Sequence, residues 1–233
     1  MKAFKKIISA ITFFTFAFVQ MSNSQDCTKF FPQNEGTVMV TKHYEKKDRE
    51  ISTTKQTILR KTVQGNELKI DIKMDSSSPD TDSVYSAEFS YLCKDGKLYI
   101  DMSNYLGTML DAYKGMEVEI NSEKLEIPSE LVEGQTLTSG KVDVKIKSNG
   151  FQIMNIVITI SDRKVEKKET ITTPAGTFEC FKITQKTTSK TGFVNIETFS
   201  SEWISEKVGV VRTENYDKKE KLISYSVLDE FKE

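Results

Sequence analysis

Residues 66–74 read NELKIDIKM. Leu68, Ile70, Ile72 and Met74 fall on one side of an extended chain, and Lys69, Asp71 and Lys73 on the other. That period of two marks a strand with one dry and one wet face. The pattern recurs in SVYSAEFSYLC (83–93), where Tyr85, Ala87, Phe89, Tyr91 and Cys93 share a face, and in KVDVKIK (141–147), where Val142, Val144 and Ile146 do. Between such runs stand Gly65-Asn66, Asp95-Gly96, Asn149-Gly150 and Thr191-Gly192. These pairs accept the positive φ that two-residue hairpin turns require. Strands joined by tight turns are antiparallel. The expectation is an all-β protein: an antiparallel meander of about ten strands, closed or half-closed by its twist into a barrel or roll.

Other stretches fill in this outline. MSNYLGTMLDAYKG (102–115) spaces Tyr105, Met109 and Tyr113 four apart, behind Ser103 as cap and ahead of Gly115. It predicts one short amphipathic helix near 103–114, its apolar side plugging an end of the β structure, with Gly107 as a weak point. MDSSSPDTDS (74–83) and IPSELVEGQTLTSG (127–140) read as loops. In TTPAGTFECFKIT (172–184), Pro174 presets a turn that Gly176 completes, linking a strand ending near Thr172 to one starting at Thr177. Cys180, in that second strand, reads as a buried packing residue, with no base spaced to activate its thiol.

The opening MKAFKKIISAITFFTFAFVQMSNSQDC has the form of a signal peptide: Lys2, Lys5 and Lys6, an apolar run from Ile7 to Val19, and Ser22 and Ser24 at the −3 and −1 positions of a cleavage after Ser24. Residues 1–24 are therefore expected to be removed, leaving 25–233 as a single all-β domain with no transmembrane segment. Without the three leader lysines, 30 basic residues face 34 acidic ones, a net charge of −4. That balance argues against nucleic acid as a partner. Asp26 precedes Cys27 where a lipid-anchoring signal needs a small residue, so the protein is expected to be periplasmic or secreted and not lipid-anchored at Cys27.

An exported chain can form disulfides. The cysteines are Cys27, Cys93 and Cys180, so at most one internal bridge forms. A Cys27–Cys93 link would tie down the N-terminal segment and leave Cys180 as the odd thiol, although spacing alone fixes no connectivity.

Signals for chemistry are sparse. His43 is the one histidine; it lies on the Met39/Thr41 side of its strand, reads as a solvated surface residue, and has no nucleophile elbow to serve. No cofactor fingerprint or zinc-ligand spacing occurs. Asp75, Asp80 and Asp82 share a polar loop but lack the pattern of a calcium loop. The interleaved charges of DRKVEKKET (162–170) read as the wet face of a strand.

CTKFFPQNEGT (27–37), LCKDGKLYIDM (92–102), LEIPSELVEGQTL (125–137), residues 162–184 and EWISEKVGVVRTENYDKKEKLISYSVL (202–228) together resemble the TapB-like family of exported bacterial proteins, related to uncharacterised periplasmic β-barrel or β-roll domains. The resemblance spans nearly the whole mature chain. It implies an antiparallel barrel or roll and no assigned activity, so no catalytic, cofactor or metal residues carry over. The family would place a glycine in the last hairpin, where Glu220 stands. The functional expectation is a non-catalytic binding or accessory module of the cell envelope, its partner an envelope protein or an apolar ligand. The alternatives are a carrier holding a lipid or small apolar ligand in a β cavity, lined by aromatics such as Tyr85, Phe89, Tyr91, Phe193, Phe199 and Trp203, and a hydrolase using paired carboxylates.

Overall fold

The computed structural model describes residues 29–233; the expected leader (1–24) and Cys27 lie outside them. The strands are β1 (Val38–Glu45), β2 (Arg49–Gln64), β3 (Glu67–Ser77), β4 (Val84–Lys94), β5 (Lys97–Asp101), β6 (Glu117–Ser122), β7 (Lys124–Pro128), β8 (Gly140–Ser148), β9 (Phe151–Thr173), β10 (Gly176–Thr191), β11 (Val194–Ser205), β12 (Gly209–Tyr216) and β13 (Leu222–Lys232). They form one antiparallel 13-stranded sheet, in the order β6-β8-β9-β10-β11-β12-β13-β1-β2-β3-β4-β5-β7, nearly closed into a barrel.

The hairpins form where the turn residues place them. Asp95 and Gly96 (φ 49° and 72°) and Asn149 and Gly150 (φ 50° and 79°) both take the left-handed conformation that matches strand twist. Pro174 and Ala175 turn β9 into β10, as the sequence predicts to within a residue. Glu220 has φ 59°, so the left-handed position of the last hairpin is real, and a side chain occupies the place a glycine would suit.

The sheet closes in an economical way. Its two terminal strands, β6 and β7, are consecutive in the chain, with only Glu123 between them. β6 pairs with β8 and β7 pairs with β5. Glu123 donates its N–H to Lys141 O (2.8 Å) and accepts from Met102 N–H (2.9 Å), so the backbone stays satisfied across the seam. An open sheet would leave two unpaired edges here; instead both belong to one short stretch of chain.

Two apolar clusters follow from this wrapping. The larger gathers Ile58, Ile70, Ile72, Leu98, Ile183, Val211 and Leu228 with Phe30 and Phe31 of the N-terminal segment. The smaller holds Val142, Val144, Ile146, Ile156, Ile158 and Ile160 under Met102, Leu106 and Leu125. The segment expected as an α-helix is a run of 3-10 turns, Met102–Tyr113, broken at Gly107 (φ 48°). Met102 and Leu106 cover the smaller cluster, which agrees with the plugging role.

Gly140 starts β8 at the seam. A Cβ there would stand 2.7 Å from Leu125 Cδ2 and 3.1 Å from Met102 Cγ, both buried side chains. Gly140→Ala is expected to destabilise the protein by about 1–3 kcal/mol, the usual range for overpacking a filled site. A urea midpoint unchanged from the wild type would contradict this crowding.

Candidate functional site

The interior of the barrel holds a cavity of about 450 Å³. Its walls are mainly apolar, among them Phe31, Met39, Leu98, Ile127, Val211 and Leu228, contributed by strands from around the sheet. Alternation along each strand aims these side chains inward. The N-terminal segment supports one wall: Lys29 O accepts from Lys207 N–H at 2.7 Å, and the Phe31 ring meets Tyr91 edge-on at 5.2 Å.

Polar groups break the apolar lining, among them His43, Thr54, Tyr91, Tyr105, Glu202 and Arg212. Glu202 is tied into a buried chain that crosses three adjacent strands. Gln185 on β10 donates its amide N–H to Glu202 Oε1 (2.9 Å), and Arg163 on β9 donates Nε–H to Gln185 Oε1 (3.2 Å). Arg163 Nη1 also donates to Glu126 O (3.1 Å) and Thr138 O (2.9 Å), knitting β7 and the following loop to the barrel. Only 3% of Arg163 is exposed. The accessible part of Glu202 faces the cavity.

Burial sets the electrostatics. It raises the carboxyl of Glu202 above the ordinary range, and the nearby Arg163 charge and the Gln185 hydrogen bond only partly offset this. Burial also lowers Arg163, which remains a cation because its free value is so high. The Tyr91 hydroxyl is pushed up to about 12 by burial, then by the Glu202 charge. Tyr105 moves upward for the same reasons. A carboxyl raised by folding stabilises fully below its unfolded pKa, and that contribution is lost as pH rises through the folded value. Glu202→Gln is therefore expected to gain stability relative to the wild type as pH goes from about 4 to about 8. Urea midpoints for both proteins across that range check the trend, and a constant difference would contradict it.

The cavity corrects several expectations. His43 faces inward, with Nε2 3.1 Å from Thr54 Oγ1, and burial lowers its pKa, so it is not a solvated surface residue. Arg163 is not on a wet face. Buried β9 residues run Ile156, Ile158, Ile160 and then Arg163, Val165, so the parity switches between. The switch is a bulge opposite Gln185, with Asp162 at φ 53°. The extra residue re-aims everything after it. No doublet of Gly or Pro marks the place; the one available signal was an arginine two residues before an apolar valine, and so on the same face as Val165.

Of the suggested aromatic lining, Tyr91 reaches the cavity. Phe193 is fully exposed at the β10–β11 turn and Phe199 is exposed. Trp203 lies on the face of β11 opposite Glu202, donating to Glu169 Oε1 (2.6 Å) beneath the cations of Lys182 and Arg212. Cys180 is fully buried, and burial pushes its thiol up to about 11, the inert packing role expected of it. Asp75 belongs to β3, where the Ser86 hydroxyl and Lys73 ammonium bind it, while Asp80 lies 3.7 Å from Arg49. Among the described residues no group of acidic, histidine and cysteine side chains has the makings of a metal site.

The match to known proteins follows the strands. The pattern of the DUF3108-like family covers residues 34–228. The chain belongs to the DUF3108-like family. Two crystal structures share its shape. One, from Parabacteroides distasonis and provisionally described as a lipoprotein, is 29% identical, with a TM-score of 0.74 over 89% of this chain and 100% of its own. The other, from Bacteroides fragilis, is provisionally described as an exported protein with a YmcC-like fold. It is 22% identical, with a TM-score of 0.71 over 88% of this chain and 99% of its own. No protein of curated function matches the sequence. The DUF3108-like pattern names this broader group and not the TapB-like one.

Proposed function

We propose that this DUF3108-like protein is an exported, non-catalytic binding module of the cell envelope whose barrel takes an apolar ligand into its cavity. The observation that carries the reading is the cavity itself: about 450 Å³, with mainly apolar walls interrupted by polar groups. Volume and lining both fall in the range of small-molecule sites. The signal-like leader and the provisional descriptions of the two structural neighbours, one a lipoprotein and one an exported protein, support export. With Asp26 ahead of it, Cys27 is better suited to a disulfide with Cys93 than to a lipid; Cys180 being the free thiol supports that pairing. The narrower TapB-like kinship belongs to the same proposal. A paired-carboxylate hydrolase is disfavoured, because the group coupled to Glu202 across the strands is the Arg163 guanidinium, through Gln185.

Uptake of the fluorophore N-phenyl-1-naphthylamine tests the reading. The wild type is expected to bind it with enhanced, blue-shifted emission. Thr41→Trp, which adds bulk at a half-buried wall position, is expected to weaken binding by about tenfold, ~1.4 kcal/mol, with the fold retained by circular dichroism. A wild type that takes up no fluorophore would overturn the carrier reading and leave a protein partner as the alternative.

A further inference from the structure

The outer face of the sheet carries a second concave site, a groove of about 480 Å³ across β9 to β12. The strand register assembles it. Lys186, Phe199 and Tyr216 stand directly opposite one another on β10, β11 and β12, and Thr184, Ser201 and Glu214 form the next row on the same face. Cross-strand neighbours of this kind hold their Cβ atoms about 5 Å apart. Ser161 opposes Lys186, so Asp162, on the β9 bulge, borders one side of the groove. Glu220, in the turn after Tyr216, borders the other. Ser201 and Glu202 alternate along β11, which places this groove across the wall from the apolar cavity.

Three features suit the groove to a ligand. An apolar ring is available, since Phe199 is 41% exposed beside Tyr216, whose hydroxyl donates to Glu214. Ser201 is only 6% exposed, yet its hydroxyl has no hydrogen-bond partner among the described residues. A hydroxyl so enclosed is costly unless something entering the groove bonds to it. The third feature is charge left unpaired. Neighbouring charges are matched as Lys164 with Glu166, Lys186 with Glu197 and Arg212 with Glu214. Asp162, Lys182 and Glu220 have no ion-pair partner among the described residues. Lys182 holds its ammonium over the Trp203 ring, 5.0 Å from the centroid, and Asp162 takes a hydrogen bond from Ser161 at 3.5 Å.

We propose that this groove is a binding site for a neutral saccharide. The C–H face of a pyranose ring lies on Phe199 beside Tyr216. Its hydroxyls, each both donor and acceptor, bond to the Asp162 and Glu220 carboxylates, the Lys182 ammonium and the Ser201 hydroxyl. An uncharged polyol uses those donors and acceptors together, and the volume falls in the range of small-ligand sites. The inference stands apart from the cavity reading.

The experiment probes the purified protein on an array of neutral oligosaccharides built from α- and β-linked glucose, galactose, mannose and N-acetylglucosamine. Binding to at least one linkage type is expected. Phe199→Ala is expected to weaken that binding by about tenfold, and Phe199→Trp to retain it. Ser201→Ala is expected to weaken it by about threefold, with a urea midpoint no lower than the wild type's, because no internal hydrogen bond is lost. Affinity electrophoresis through the matching polymer distinguishes the source of the ligand: retardation identifies a glycan chain, and its absence a short free sugar. Both groove variants are expected to take up N-phenyl-1-naphthylamine as the wild type does, so the cavity is read out separately. No binding anywhere on the array, or binding that neither Phe199→Ala nor Ser201→Ala weakens, would overturn the inference and leave the cavity reading standing.

Discussion

Arg163→Ala is expected to cost about 3–5 kcal/mol of folding stability, the largest effect of any single substitution considered for this barrel. The guanidinium is buried and satisfies Gln185, Glu126 O and Thr138 O at once. Its removal leaves two carbonyls short of a donor and a buried carboxylate without its compensating charge. The origin of the loss can be separated by a double variant. Adding Glu202→Gln to Arg163→Ala removes the stranded charge and is expected to recover part of the stability, whereas unrelated sites would simply add. Urea midpoints of the four proteins of this cycle measure the coupling. Strict additivity would mean that Arg163 acts only by packing and by bonding the carbonyls.

Loss of the proposed Cys27–Cys93 link is expected to cost nearly as much. The loop it closes is roughly 65 residues, for which the chain-entropy relation gives about 4 kcal/mol. Cys27→Ser tests the bond without disturbing the core around Cys93, which is buried. Oxidised wild-type protein, once unfolded in urea without reductant, should expose one alkylatable thiol, that of Cys180. The variant should expose two. Three thiols in the wild type would rule the bridge out. In the folded state Cys180 is expected to resist alkylation, as its burial and raised pKa dictate.

Much of the sheet is written in local patterns. Ile70 and Ile72, and Val142, Val144 and Ile146, are fully buried where period-two alternation puts them. Asp95-Gly96 and Asn149-Gly150 turn as their conformational preferences require. The candidate site is harder to read, because it depends on features with no local signature. The bulge at Asp162 shifts the register of β9 against β10 and turns Arg163 inward, so a run of alternating charges conceals a buried cation. Glu202 and His43 look like ordinary polar strand residues; only closure of the sheet decides that their faces line an interior. The aromatics mislead for the same reason: Phe193 is apolar, yet its position in a hairpin turn exposes it. The 3-10 run also departs from its helical periodicity where Gly107 takes φ 48° and breaks the coil.

The pairing of β1 with β13, from Val38 opposite Lys232 to Glu45 opposite Ser224, joins the first and last strands of the sheet in its middle. A chain threaded through a pore N-terminus first can assemble the hairpins from β2 to β5 early, but β1 must wait for residues near 230 before it gains its second neighbour. Completion of the barrel is thereby timed to the arrival of the C-terminal strand. Until then the edge of β1 that faces β13 stays unpaired, and the wall of the barrel is open along that line.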